Sequence, residues 1–180
     1  MSRYSTIILW LAPWCLLAAC DDSEQAAQPP ASGSVITTGK IDTSFEAVPD
    51  EVLAAAREAR PELELHGAEY ERRDGREYYD LEGTLPDGSE LELDLTLDDG
   101  AWTVVEVQRD IALEQVPGGA RQALETERPD WQPHRIIESD QGDGMVIYEF
   151  FGPGPAGEEL KVEVKWDDGV AEVLSDEWIH

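Results

Sequence analysis

The sequence predicts an α+β fold built from two tandem repeats, each a short helix followed by about four antiparallel strands, with the helices packed on one face of the sheet. Three observations predict it. The chain matches itself at an offset of 68–69 residues, each copy opens on a proline-bounded, alanine-containing segment, and each copy carries an apolar–acidic alternation that ends in Asp-Gly.

The repeat is read from identities. At an offset of 68, Val48-Pro49 matches Val116-Pro117, Ala55 matches Ala123, Arg60-Pro61 matches Arg128-Pro129 and His66 matches His134. At an offset of 69, Glu69 matches Glu138, Asp74-Gly75 matches Asp143-Gly144, and Tyr79 and Gly83 match Tyr148 and Gly152. Pro86, Gly88, Glu90-Leu91, Asp98-Asp99-Gly100 and Val104 continue the series, for 19 identities over positions 48–104. The single gap falls between His66 and Glu69, where a helix-to-strand connection belongs.

The N-terminus precedes these repeats. Arg3 and an apolar run from Thr6 to Ala19 have the form of a secretory signal, too short for the roughly 20 residues of a membrane span. The run ends Leu17-Ala18-Ala19-Cys20. This resembles the bacterial lipobox, and the resemblance implies cleavage before Cys20 and lipidation of its thiol and amine. Asp21 resembles an inner-membrane sorting residue of enterobacterial lipoproteins. The three acyl chains this implies exceed the two signals that stable anchoring needs. With Cys15 in the removed signal and Cys20 modified, the mature chain has no disulfide, cysteine nucleophile or cysteine-ligated zinc. Residues 20–45 are rich in Ser, Gln, Ala and Pro and read as an acidic flexible linker, followed by repeat 1 over 46–110 and repeat 2 over 111–180.

Each repeat begins with a helix. Pro49 and Pro117 suit the first helical position, Asp50 and Glu51 suit the positive helix N-terminus, and Val52, Leu53, Ala56 and Ala59 make a narrow apolar stripe. Pro61 and Pro129 stop the helices, because the preceding arginine is pushed out of the α region. Strands are predicted at 69–73, 77–83, 90–97 and 102–107, then at 135–139, 145–151, 159–166 and 170–174. The Asp-Gly pairs at 74, 99, 143 and 168 are hairpin signals. The alternation Glu90-Leu91-Glu92-Leu93-Asp94-Leu95 and its copy from Glu159 predict a sheet with one face on the core and the other, charged, in water.

The Val-Pro start, short alanine-rich helix, proline stop, aromatic–acid pairs Tyr79-Asp80 and Tyr148-Glu149, and alternating strand ending in Asp-Gly resemble PepSY-like domains. Two in tandem are similar in layout to the β-lactamase inhibitor protein. The resemblance covers residues 46–178 and implies a secreted or lipid-anchored, non-enzymatic module that inhibits peptidases or senses envelope conditions. It carries no inhibitory residue over, since that family has no fixed inhibitory motif.

Little in the sequence points to catalysis. It lacks a metal-spaced histidine pair, a phosphate loop, a dinucleotide fingerprint and a nucleophile elbow. Neither a cofactor nor a metal site is expected. His66 and His134 precede the first strand of each repeat and read as lining that connection, with a pH sensor or ligand role as the alternative. Asp140-Gln141-Gly142-Asp143-Gly144 fails the calcium-loop pattern at its third position. Trp102, just after a hairpin turn, and Trp178, near the C-terminus, are the candidate binding residues; Trp166 falls on the apolar phase of its strand and reads as core.

Composition sets the partner class. Forty acids against 13 bases give a net charge of −27, which excludes unaided nucleic-acid binding and argues against electrostatic docking on anionic lipid. The membrane is contacted through the lipid anchor only. The expected function is binding of an envelope protein or peptide, cationic by charge complementarity. A Ca²⁺ or ionic-condition sensor built from acid-rich turns is the alternative, and adaptation to salt is a third explanation of the charge.

Overall fold

A computed structural model describes residues 40–73 and 75–179. The signal segment, Cys20, Asp21 and His180 lie outside the described residues. A two-residue strand β1 (Ile41–Asp42) falls within the segment read as linker. It is followed by α1 (Asp50–Ala59), β2 (Glu64–Arg73), β3 (Arg76–Thr84), β4 (Glu90–Asp98) and β5 (Ala101–Asp110). Then come α2 (Gly118–Glu127), β6 (Arg135–Asp140), β7 (Val146–Pro153), β8 (Glu159–Asp167) and β9 (Val170–Val173).

The predicted architecture of two tandem helix-plus-four-strand repeats is corrected here. Among the described residues the strands form one antiparallel sheet of nine, in the order β1 through β9 without a crossover. The seam is the pairing of β5 with β6: Val107 lies opposite Asp140, Arg109 opposite Glu138 and Asp110 opposite Ile137. Sequence patterning ended the fifth strand at Val107, because Gln108-Arg109-Asp110 breaks the alternation. In the structure those residues carry the ladder onward. Two cross-strand ion pairs tie the seam, Arg109 to Glu138 at 2.6 Å and Arg135 to Asp110 at 2.9 Å.

Local sequence accounts for the elements. Pro49 and Pro117 cap the helices immediately before their first residue, one position earlier than predicted, and each helix ends at the residue before Arg60 or Arg128. Asp99 and Gly100 both have positive φ, 48° and 82°, as do Asp168 and Gly169, the requirement of a two-residue type I′ hairpin. Both helices lie on one face of the sheet. Under α1, Val48, Val52, Leu53, Ala56, Leu63, Leu81, Leu93 and Leu95 form one buried cluster. Under α2, Val116, Ala120, Leu124, Ile136, Tyr148, Phe150, Val162 and Val164 form a second. Each fully buried leucine or valine there contributes roughly 1.5–3 kcal/mol of apolar transfer energy.

The opposite face departs from expectation. Glu92, Asp94, Lys161 and Glu163 were predicted to face water. Asp94 and Glu163 are buried at 7% and 6% exposure, beside Glu71, Asp80 and Glu106 at 4–5%, while Glu92 and Lys161 are half-buried. Residues from β2, β3, β4, β5, β7 and β8 line one cavity of about 170 Å³ on this face. Six strand spacings of about 4.8 Å would hold β2 and β8 some ~29 Å apart in a flat sheet. The sheet therefore curls so far that its acidic face closes on itself, an outcome of cumulative strand twist that no local pattern reports.

Candidate binding surfaces

Two surfaces follow from this geometry, one on each face. On the helical face, β4 and β5 extend past α1, leaving a groove of about 650 Å³. Its floor is a run of rings: Tyr70 meets Tyr79 at 5.1 Å between centroids with the planes tilted by 53°, and Tyr79 meets Trp102 edge-on at 5.3 Å. Leu97, 37% exposed, and Ala54 and Ala55 of α1 complete the apolar lining. Glu51, Glu58 and Glu77 stand around it, and none of its lining residues is basic. Desolvation first, then Tyr70 and the carboxylates of Glu77 and Glu51, push the Tyr79 hydroxyl above its ordinary pKa. Tyr70 is raised likewise by desolvation and by Glu77, to which its hydroxyl donates at 3.3 Å.

The corresponding space beside α2 is closed. The internal alignment pairs Leu97 with Trp166 and Glu51 with Gly119. A Cβ on Gly119 would lie 2.5 Å from the Trp166 ring, so the absence of a side chain at 119 admits the indole. Trp166 thus packs on the second core cluster, as its strand phase predicts. The aligned partner of Trp102 is Ala171. One half of the sheet fills this space with a tryptophan, and the other leaves it open and lined with rings.

On the curled face, acids outnumber bases. Lys40 Nζ pairs with Asp80 at 2.6 Å and with Glu69 at 3.7 Å. Lys161 Nζ serves Glu163 and Glu177, both at 2.7 Å, and Glu149 at 3.8 Å. Burial alone would depress both ammonium groups; the adjacent Asp80 and Glu149 carboxylates, with their neighbours, hold them above the ordinary lysine range. Burial pushes Glu92 up to about 7 against the pull of Lys40, and Glu149 up to about 7 against that of Lys161. Asp94, buried and facing Asp80, Glu106 and Glu92, is raised well above the usual carboxylate range. Its Oδ2 accepts from Gln108 Nε2 at 3.2 Å, and Ser139 donates to Glu106 across the β5–β6 seam.

Trp102 and Trp178 lie on opposite faces and do not form one site. Trp178 closes over the acidic face. Its backbone N–H donates to Glu163 at 2.7 Å, its indole N–H donates to Gln141 at 2.9 Å, and Lys165 Nζ stands 5.9 Å from the ring. His66 occupies the bulge between Leu65 and Gly67 of β2, its ring 3.1 Å from the Thr84 hydroxyl. His134 sits 3.2 Å from a Glu159 carboxylate oxygen. The acids that gather are not those of the turns. Carboxylate oxygens of Asp80, Glu92 and Asp94 come within 4.8 Å of one another, from two adjacent strands. The signal for them was the aligned register of two alternating strands, with Asp80 opposite Asp94.

Comparison with known proteins adds little. No family model matches the chain, and no curated protein matches it. Among solved structures, a protein of Bacteroides vulgatus, described as periplasmic and of the DUF2874 family, aligns at 20% identity over 78% of this chain and 99% of its own. Its TM-score of 0.28 carries no argument about this fold. No described helix is long and apolar enough to cross a membrane.

Proposed function

We propose that this chain is a lipid-anchored protein of the bacterial cell envelope, facing the periplasm, that binds a protein or peptide partner without catalysis, as PepSY-like modules are thought to do. The lipobox at Cys20 supports the location, and Asp21 favours the inner membrane. The observation that carries binding is the groove beside Trp102. Mutually packed, partly exposed aromatic rings offer a large contact area that needs little ordering when a partner arrives, the property of interface anchors.

The test is a photoreactive phenylalanine analogue, which keeps an aromatic ring in the groove, placed at position 102 in the native envelope. Thr103, the next residue of β5, is exposed and points to the other face, so it is the control. A discrete adduct at 102 that is absent at 103 supports the reading. Identical adducts at both positions, or none at 102, removes it.

A second reading, cation sensing, is favoured by the Asp80–Glu92–Asp94 cluster rather than by the acid-rich turns. An ion there would compete with Lys40 for Asp80. Calorimetry with Ca²⁺ should then show saturable heat that Asp94→Asn abolishes, and no saturable heat at millimolar ion ends this reading.

A further inference from the structure

We infer that the groove beside Trp102 takes a peptide segment in which one aliphatic or aromatic side chain is flanked by lysine or arginine. This rests on the reading that the groove binds a partner, and it names that partner's chemistry.

Three features argue for that occupant. The floor is apolar and aromatic, with Tyr79 and Trp102 presenting rings and Leu97 a partly exposed side chain, so the centre of the ligand is apolar. The rim is mainly acidic: Glu51 and Glu58 project from α1 and Glu77 from β3, where Arg72 of β2 lies opposite it, and no lysine or arginine is among the lining residues themselves. An ammonium or guanidinium entering there meets carboxylates at the rim and ring faces beneath, and both attract it. The volume, about 650 Å³, falls within the range of ligand sites.

The matched half of the sheet shows that the opening is specific. There, position 119 is glycine and position 166 is tryptophan, and together they fill the space. Here, the aligned positions are Glu51 and Leu97. The larger side chain is missing, and a carboxylate stands where the glycine was. An anionic partner would be repelled, as would a second copy of a chain carrying −27.

The experiment uses the detergent-solubilised full chain and three synthetic peptides sharing a Leu-Phe-Leu centre, flanked by Lys, Ser or Glu. Calorimetry is run at about 20 mM and about 500 mM NaCl. The Lys-flanked peptide should bind about tenfold more tightly than the Ser-flanked one at low salt, with the ratio shrinking at high salt. Trp102→Ala should abolish binding. Because that change touches the core, Glu58→Lys on the exposed face of α1 is the second variant. It should weaken the Lys-flanked peptide about threefold and leave the Ser-flanked one unchanged. Equal affinity for all three peptides, preference for the Glu-flanked peptide, or binding of none overturns the inference. In each case crosslinking at position 102 still decides separately whether the groove binds a partner.

Discussion

Glu92 and Glu149 each face a lysine across the curled side of the sheet, yet burial outweighs the pairing and both titrate near 7. The consequence has a definite sign. A carboxyl whose folded pKa lies above its unfolded 4.5 binds more protons folded than unfolded between those values, so stability falls as pH rises from about 4.5 to about 7 and then levels. Each such group carries on the order of 3 kcal/mol of pH-linked stability. Lys40 and Lys161, held above the ordinary lysine range, stay charged throughout that window and add no slope. Melting temperature should therefore rise by several degrees between pH 7.5 and pH 5, and a Glu92→Gln, Glu149→Gln double variant should make the curve shallower, with buried Asp94 keeping part of the slope, while being no less stable at pH 7.5. A wild-type melting temperature that is level or falls on acidification over that range would contradict this account of the buried acids. These groups were visible in the sequence as an alternating acidic phase. Their burial was not, because it depends on the sheet curling until residues of strands as distant as β2 and β8 line one cavity.

At the scale of elements, the α2 glycines separate propensity from packing. Gly118 has nothing within 4 Å of a built Cβ, whereas on Gly119 that atom would lie 2.5 Å from the Trp166 ring. Gly118→Ala should stabilise by up to ~1 kcal/mol through helix propensity, and Gly119→Ala should destabilise by about 1–3 kcal/mol by displacing the indole. Urea midpoints of the two variants check this, and equal shifts in the same direction would remove the close-packing argument. Helix propensity alone penalises both glycines equally, since it cannot tell an exposed position from one under a tryptophan. By contrast, the helix stops at Arg60 and Arg128 and the type I′ turns at Asp99-Gly100 and Asp168-Gly169 were legible, because proline sterics and left-handed φ act within a few residues. The β5–β6 seam was not. Its residues, Gln108, Arg109 and Asp110, read as the end of a unit until Arg109 and Glu138 are brought 2.6 Å apart.

Across the whole molecule, the net charge of −27 is distributed over two faces with different roles. On the curled face the acids are largely withdrawn from water and only in part neutralised by Lys40, Arg73 and Lys161. On the helical face Glu51, Glu58 and Glu77 surround an open aromatic groove. Self-repulsion among exposed acids is screened by salt, so melting temperature should rise with NaCl up to about 0.5 M. A melting temperature independent of salt would show that the exposed charge costs the fold nothing. The groove was half legible: Trp102 stood out by its place after a hairpin, but Tyr70, Tyr79 and Leu97 join it only through the successive pairing of β2, β3, β4 and β5. Trp178 stood out equally and proves to be a closure of the opposite face. Four tryptophans, Trp102, Trp131, Trp166 and Trp178, lie among the described residues, and their indole N–H signals report on separate places in the fold. Titrating the Lys-flanked peptide into ¹⁵N-labelled protein should shift the Trp102 indole signal and leave the Trp178 signal in place. A shift of Trp178 with Trp102 unmoved would put the partner on the acidic face and contradict the assignment of the groove.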